Sequence, residues 1–88
     1  MARSIRFTPA AWADYIYWQG QEKKTLQRIH TLIEAAVREP FAGIGKPEPL
    51  MGNLAGYWSR RIDGTHRLVY AVDDADLDVV ACRGHYDD

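Results

Sequence analysis

The residues that could do chemistry are concentrated in the second half of the chain. Glu48 lies in the segment KPEP, and because both Lys46 and Glu48 precede a proline, both are biased toward extended backbone. A carboxylate with so little backbone freedom suits a residue that must aim at a substrate, although a solvated charge on a proline-rich turn is the simpler explanation. The other reactive groups that follow are Arg60, Arg61, His66, Arg67, Arg83, His85 and Tyr86.

A carboxylate, an imidazole and guanidinium groups are together sufficient for RNA cleavage without a metal. In that reaction a base removes the proton of the 2′-hydroxyl, the oxygen attacks its own phosphate, and an acid protonates the leaving 5′-oxygen. Cations stabilise the charge that grows on phosphorus, and an aromatic ring can stack an unpaired base. Taken alone, however, His85 is better explained as a partly buried terminal histidine.

Other chemistries are less well supported by the residue pattern. The chain lacks a reliable pair of carboxylates at glycosidase spacing, and it lacks a Ser or Cys nucleophile motif. His66 and His85 do not have the HxH or HExxH spacing of metal sites. The single cysteine, Cys82, excludes an intramolecular disulfide and a cysteine-based zinc site. We therefore expect neither a metal nor a cofactor.

The stretch from Tyr57 to Tyr70 predicts a β-hairpin that positions the cations. Two strand-like runs flank Asp63-Gly64, a dipeptide suited to a tight turn. If the loop contains an even number of residues, Arg60 and Arg67 share one side of the hairpin. Like charges across a strand pair are destabilising, so a bound anion would explain the pair. Alternatively, both guanidiniums extend into water.

The same alternation leaves the position of His85 open. With an even loop at the second turn, residues 73–76, His85 lies on the face of the sheet away from Arg67. An odd loop, or a β-bulge near Arg83-Gly84, would bring the two side chains to one face. The sequence does not decide between these arrangements.

Periodicity predicts the elements that carry these residues. In order they are a strand at 4–8, helices at 9–19 and 23–38, a loop at 41–54, the hairpin, and a strand at 77–85. This pattern predicts one α+β domain over residues 1–88, with an antiparallel helix pair on one sheet face. We assign the aromatic stripe of the first helix to the core, so Trp12→Ala should cost about 3–5 kcal/mol and Glu48→Ala should leave folding intact.

Composition limits the partners and the compartment. The 88-residue chain has a formal net charge of -1, so a nucleic acid would be held by a local basic patch and not by overall charge. The lone cysteine fits a reducing cytoplasm. Neither a signal peptide nor an apolar run long enough for a membrane span is present, and we expect a cytoplasmic protein without a membrane partner.

Five segments, taken together, resemble YoeB-type toxins of the RelE superfamily over nearly the whole chain. They are DYIYWQ at 14–19, GIGKPEPL at 43–50, NLAGYWSRRI at 53–62, HRLVYAV at 66–72 and ACRGHY at 81–86. The resemblance implies a small RelE-like ribonuclease fold, in which the first strand joins three antiparallel strands in one sheet. It also implies an mRNA interferase, a toxin that cleaves messenger RNA in the ribosomal A site and thereby stops translation.

Carried over by position, the resemblance assigns three catalytic roles. Glu48 matches the general base of the family and His85 matches the general acid. Arg67 matches the arginine that stabilises the phosphate. These roles require the three side chains to meet on one surface.

The resemblance also indicates residues that bind the substrate. Tyr86 matches an aromatic residue that helps to seat the RNA, and Arg61 and Lys46 are weaker candidates for RNA contact. Two departures affect these contacts: Gly84 stands where relatives often have an aromatic residue, and Met51-Gly52 stands where they often have basic or polar residues. Neither departure removes the catalytic set.

The partners implied by the resemblance are a YefM-type or Phd-type antitoxin and the bacterial ribosome with its messenger RNA. Operator DNA is expected to be contacted only through the antitoxin. Relatives can dimerise, and the aromatic face of the first helix is a candidate surface for a homodimer if its side chains are not all in the core. The alternative function is a module that binds RNA or the ribosome without cutting. A DNA-binding regulator is disfavoured, because no helix–turn–helix with a basic recognition helix is present.

Overall fold

A mixed five-stranded sheet is covered on one face by two helices in the structure, a computed structural model that describes residues 3–85. The elements are β1 (Ser4–Phe7), α1 (Pro9–Gln19), α2 (Lys23–Arg38), β2 (Glu48–Pro49), β3 (Trp58–Arg61), β4 (Arg67–Val72) and β5 (Asp76–Ala81). Within residues 3–85, neither helix is long and apolar enough to cross a membrane.

The strands lie in the order β1-β5-β4-β3-β2. β1 runs parallel to β5, and the other neighbouring strands are antiparallel. The predicted α+β fold, with a helix pair and a first strand that joins three antiparallel strands, is therefore confirmed. The short strand β2 is an addition, because it falls in the segment that was predicted to be a loop. A strand of two residues, the second of which is a proline, is too short to show a strand periodicity.

The start of α1 follows from its first residues. The Thr8 side chain accepts a hydrogen bond from the Ala11 amide at 3.1 Å and so caps the helix, while Pro9 occupies the first turn, where its missing N–H costs nothing. The Glu39-Pro40 pair ends α2, since the residue before a proline is disfavoured in helical conformation. Both helix positions agree with the predictions.

The helices and the sheet enclose the main core. α2 buries a stripe at helical spacing, and α1 adds Ala11 and Trp18. The stripe consists of Ile29, Leu32, Ile33 and Ala36. A smaller cluster, Leu50, Val69 and Ala81, lies on the opposite side of the sheet, which we call the open face.

The aromatic stripe of α1 is only partly in the core. Trp18 is 7% exposed, and its indole Nε1 donates to the Cys82 carbonyl at 2.8 Å. Trp12, in contrast, is 51% exposed, meets the Phe7 ring edge-on and stacks on the Tyr15 ring. The prediction that Trp12 is a core residue is therefore wrong. A helix that touches a sheet along one line buries fewer positions than its full apolar stripe suggests.

The end of β5 differs from the predicted strand, which continued to His85. β5 ends at Ala81, residues 82–84 bend away from the strand direction, and Gly84 adopts a φ of 96°, outside the extended region. The register between β4 and β5 also shifts, since Val69 pairs with Ala81 but Tyr70 pairs with Val79. Val80 has no partner in this ladder and forms a β-bulge.

We predict that the two tryptophans of α1 differ in their contribution to stability. Trp18→Ala should lower the free energy of unfolding by about 3–5 kcal/mol, because it removes a buried ring. Trp12→Ala should cost only about 1–2 kcal/mol, the contribution of its exposed ring contacts. Urea unfolding followed by circular dichroism measures both, and equal losses would contradict the assignment of Trp18 to the core.

Candidate active site

Glu48 is held on an edge strand of the sheet. It pairs with Ser59 of β3, and the Leu50 amide continues the ladder by donating to the Tyr57 carbonyl at 2.9 Å. Pro49 lacks an N–H, which an edge strand tolerates. Because Leu50 lies two residues further along and belongs to the open face, Glu48 also lies on the open face, where it is exposed to solvent.

The turn before Glu48 passes close to the core. A Cβ added at Gly45, which has a φ of 82°, would come within 2.7 Å of Leu32 Cδ2 and 3.2 Å of Arg60 Cβ. The Gly45 carbonyl also accepts from the Arg61 amide at 2.7 Å. Lys46 follows with a left-handed φ of 52° and is exposed. Only glycine fits at position 45, because a side chain there would clash with Leu32. The turn sets the direction in which the KPEP segment approaches β3.

Arg60 is a structural residue, contrary to the prediction that it shares a side with Arg67. It is 0% exposed, and its guanidinium donates to the carbonyls of Glu39, Ala42 (2.8 Å) and Ile44 (3.0 Å). Its Nε also donates to the Tyr70 hydroxyl at 2.9 Å. The segment 62–66 between the paired Arg61 and Arg67 has an odd number of residues, and this places Arg60 opposite Leu68 on the helix side.

Tyr70 continues the network around Arg60. Its hydroxyl donates to the Pro40 carbonyl at 2.7 Å. Burial raises the pKa of Tyr70, although the Arg60 guanidinium acts in the opposite direction. The phenol therefore stays protonated at neutral pH and can donate to Pro40 while it accepts from Arg60. This network ties the segment 39–44 to β3 and β4.

Arg61 and Arg67 are two neighbouring cations of the open face. They are paired directly across β3 and β4, and Arg61 lies two residues beyond Ser59, which faces Val69. Arg61 is exposed and Arg67 is half-buried. The two like charges sit on opposing positions of a strand pair, so a bound anion would relieve their repulsion. The predicted anion site is thus an Arg61–Arg67 pair and not Arg60–Arg67.

His85 lies beside Arg67. The distance between His85 Nε2 and the Arg67 guanidinium (NH2) is 3.4 Å. A bulge, one of the arrangements that the sequence left open, accounts for this contact, but it occurs at Val80 and not at Arg83-Gly84. The turn between the paired Val72 and Leu77 has an even number of residues, so an odd loop is not the cause. Glu48 lies two strands from Arg67 and in register with Val69, two residues further along β4, so the two backbones are roughly 12 Å apart. Glutamate and arginine side chains can span this width.

Of the predicted substrate-binding residues, Tyr86 lies outside the described residues. Arg61 lies on the open face with Glu48 and Arg67, and Lys46 is exposed at the turn that leads into β2. The structure therefore brings the three predicted catalytic residues to one face of the sheet.

Charge is divided between the two ends of β4. The cations and His85 lie near its start, whereas Asp73 follows its end, where two backbone amides lower the pKa of that carboxyl. At the same end, Arg6 binds Asp78 through two hydrogen bonds of 2.7 and 3.1 Å, and this contact raises the pKa of Arg6. An anionic ligand is favoured only at the Arg67 end.

Cys82 is a poor nucleophile. Burial raises the pKa of the Cys82 thiol to about 12, and the nearby Asp14 carboxylate acts in the same direction. The thiolate, which is the reactive form, is therefore nearly absent at neutral pH. Within residues 3–85, His, Cys, Asp and Glu side chains do not come together in threes to hold a metal ion.

Comparison with known proteins decides the family. A family model described as the YoeB-like toxin of bacterial type II toxin–antitoxin systems matches residues 7–86. The chain belongs to the YoeB-like toxin family. A toxin YoeB of Synechocystis is 57% identical over 82 residues, which is 93% of this chain and 95% of that protein.

Two solved structures from Staphylococcus aureus, each 45% identical, place the YoeB-like fold in assemblies. A YoeB dimer superposes with a TM-score of 0.90, and a YoeB chain from a heterotetrameric YoeB–YefM toxin–antitoxin complex superposes with a TM-score of 0.87. In each case the match covers 98% of this chain and 100% of the other chain. The expected resemblance to YoeB-type toxins is confirmed.

Sequence reasoning missed the residues that hold the YoeB-like site together. Asp14 and Trp18 of α1 bind the amide and the carbonyl of Cys82, and Arg83 lies over the Tyr17 ring at 3.5 Å from its centre. The motifs DYIYWQ and ACRGHY therefore touch each other. The helical spacing of Asp14 and Trp18, four residues apart, places both on one side of α1 and was the available signal.

We predict that Arg60 is needed for folding and that its neighbour is not. Arg60→Lys should lower the free energy of unfolding by about 3 kcal/mol, because one ammonium group cannot satisfy the acceptors that the guanidinium fork binds. The matched control, Arg61→Lys, should stay within about 0.5 kcal/mol of the wild type because Arg61 is exposed. Urea unfolding measures both. A small loss for Arg60→Lys would contradict the structural role.

Proposed function

We propose that this protein is the toxin of a type II toxin–antitoxin pair and acts as a ribosome-dependent endoribonuclease that cleaves messenger RNA in the A site. The observation that carries the proposal is the 3.4 Å contact between Arg67 and His85 on the sheet face that also holds Glu48. A carboxylate, an imidazole and a guanidinium on one surface match the three tasks of cleavage by 2′-hydroxyl attack.

The reaction assigns one task to each side chain. The Glu48 carboxylate takes the proton of the 2′-hydroxyl, and the oxygen forms a bond to the adjacent phosphorus. The bond from phosphorus to the 5′-oxygen breaks, and His85 gives that oxygen a proton. The products are a 2′,3′-cyclic phosphate and a 5′-hydroxyl. Arg67 stabilises the negative charge that develops on the phosphate oxygens during this displacement.

Arg67 also supports the acid role of His85 by position. The Arg67 guanidinium lies 3.4 Å from Nε2, so a phosphate bound between Arg67 and Arg61 would lie next to the His85 ring. The acid would therefore be adjacent to the leaving 5′-oxygen of the bound phosphate. Tyr86, the neighbour of His85 in the chain, is assigned to stacking of a substrate base.

The ribosome is proposed as the platform because the protein's own charge binds RNA weakly. The formal net charge is -1, and the cations of the site, Arg61, Arg67 and Lys46, form only a small patch. Each phosphate contact adds modest affinity at physiological salt. A messenger RNA in the A site is already positioned by the ribosome, so the toxin would need few phosphate contacts of its own.

The proposed partners follow from the family. A YefM-type antitoxin would neutralise this protein, as the assembly in the Staphylococcus aureus complex indicates for its YoeB chain. Contact with operator DNA would occur only through the antitoxin, and both proteins would act in the cytoplasm. A homodimer is proposed by analogy with the Staphylococcus aureus YoeB dimer. The partly exposed aromatic face of α1, with Trp12 at its centre, is available for it.

We predict that Glu48→Gln and His85→Ala each reduce cleavage about 10²–10⁴-fold, because each removes one proton-transfer group. Primer extension on a messenger RNA in a purified bacterial translation system measures the cut, with a ribosome-free reaction alongside. Glu34→Gln and His30→Ala, on the exposed surface of α2, are the matched controls and should cleave like the wild type. All variants should unfold at nearly the same urea concentration.

The alternatives give different results in the same experiment. Cleavage without ribosomes would make the protein a free ribonuclease. Inhibited translation without any cut RNA would favour a module that occupies the A site without chemistry. Full activity of Glu48→Gln would remove the assigned base and with it the proposed mechanism.

A further inference from the structure

The segment that carries His85 does not belong to the sheet. β5 ends at Ala81, and residues 82–84 form a turn whose last member, Gly84, has a left-handed φ of 96°. A strand ladder therefore does not determine where His85 lies. Some other set of contacts must bring its ring to 3.4 Å from the Arg67 guanidinium.

Two hydrogen bonds to Gly84 supply this connection. The Gly84 carbonyl accepts from the Arg67 amide at 2.9 Å, and the Gly84 amide donates to Nδ1 of His66 at 2.8 Å. His66 directly precedes Arg67 in the chain. The dipeptide His66-Arg67 thus binds both the amide and the carbonyl of Gly84, the residue that precedes His85. Because Nδ1 accepts a hydrogen bond, a neutral His66 ring carries its proton on Nε2.

The His66 ring is itself held in place. It packs edge-on against Trp18, with the ring centres 4.9 Å apart and the planes at 85°. Its backbone amide donates to the Asp63 carboxylate at 2.7 Å, and Thr65 donates to the same oxygen. Burial alone would raise the pKa of Asp63, but these two amides lower it, so the carboxylate stays ionised and the turn stays closed.

We propose that His66 is a positioning residue for His85, and that it acts through the hydrogen bond from the Gly84 amide to Nδ1. This inference rests on the proposed function, since it gives His66 a role only in placing the general acid. Position 66 therefore requires a side chain with a hydrogen-bond acceptor where Nδ1 lies. The same side chain must also pack against Trp18. The imidazole neither touches the substrate nor transfers a proton in the reaction.

Isosteric replacement tests this role. Asparagine places its Oδ1 near the position of Nδ1, whereas leucine fills similar space without an acceptor. His66→Leu should lower kcat for ribosome-dependent cleavage about 10–100-fold, the scale expected when an acid is displaced by about 1 Å, and should leave KM nearly unchanged. His66→Asn should retain kcat within about threefold of the wild type, because it restores the acceptor.

The matched control is His30→Leu. His30 is an exposed histidine on α2 that contacts the Tyr15 hydroxyl at 2.8 Å and is remote from Gly84 in the fold. The same substitution there should leave kcat and KM unchanged. Urea unfolding of the four proteins separates loss of positioning from loss of folding, since kcat is compared only under conditions in which each variant is folded.

A second measurement does not depend on cleavage. Hydrogen exchange of the Gly84 amide, read by NMR, should be protected in the wild type and in His66→Asn and should become fast in His66→Leu. If the wild type fails to cleave while the Gly84 amide follows this pattern, the proposed function is wrong and the structural contact stands. If His66→Asn loses as much kcat as His66→Leu, or if His66→Leu cleaves like the wild type while His85→Ala does not, the positioning role is wrong.

Discussion

The fold depends on a charge that is completely removed from water. Burial of the Arg60 guanidinium is tolerable only because polar oxygens surround it. One of these oxygens is the carbonyl of Glu39, the C-cap of α2, where the helix dipole is negative, and two more are the carbonyls of Ala42 and Ile44 in the loop that follows. The carbonyls of this segment thus obtain donors, and the cation obtains acceptors.

This arrangement governs the geometry of the site, although Arg60 contributes no atom to the open face. The segment anchored by Arg60 leads directly to Gly45 and then to the KPEP strand. Next to Arg60 in β3, Arg61 has the same side-chain chemistry and the opposite environment. The pleat of one strand therefore separates a cation that organises the loop from a cation that is available to an anion.

The sequence was sufficient for the elements whose signals are local. Caps, prolines and helical spacing located α1 and α2, and the motifs identified the residues that the structure brings to the open face. The sequence was insufficient where the sheet face of a side chain depends on the number of residues in a turn. The face of Arg60 was predicted wrongly because one residue more or less in 62–66 exchanges the two sides of a strand. The prediction that Trp12 lies in the core was wrong for a different reason, because an apolar stripe does not show how much of the helix the sheet covers.

The parallel pairing of β1 with β5 also has a consequence for biosynthesis. Ser4 lies opposite Asp76, so the first strand finds its neighbour only after nearly all of the chain has been made. Such contacts between distant parts of a sequence fold slowly, and a growing chain cannot form them early. β5, the partner of β1, is also the strand that leads to His85. A nascent chain in which β5 has not yet emerged therefore lacks both a complete sheet and the contact between His85 and Arg67, so one late segment completes the fold and the candidate site together.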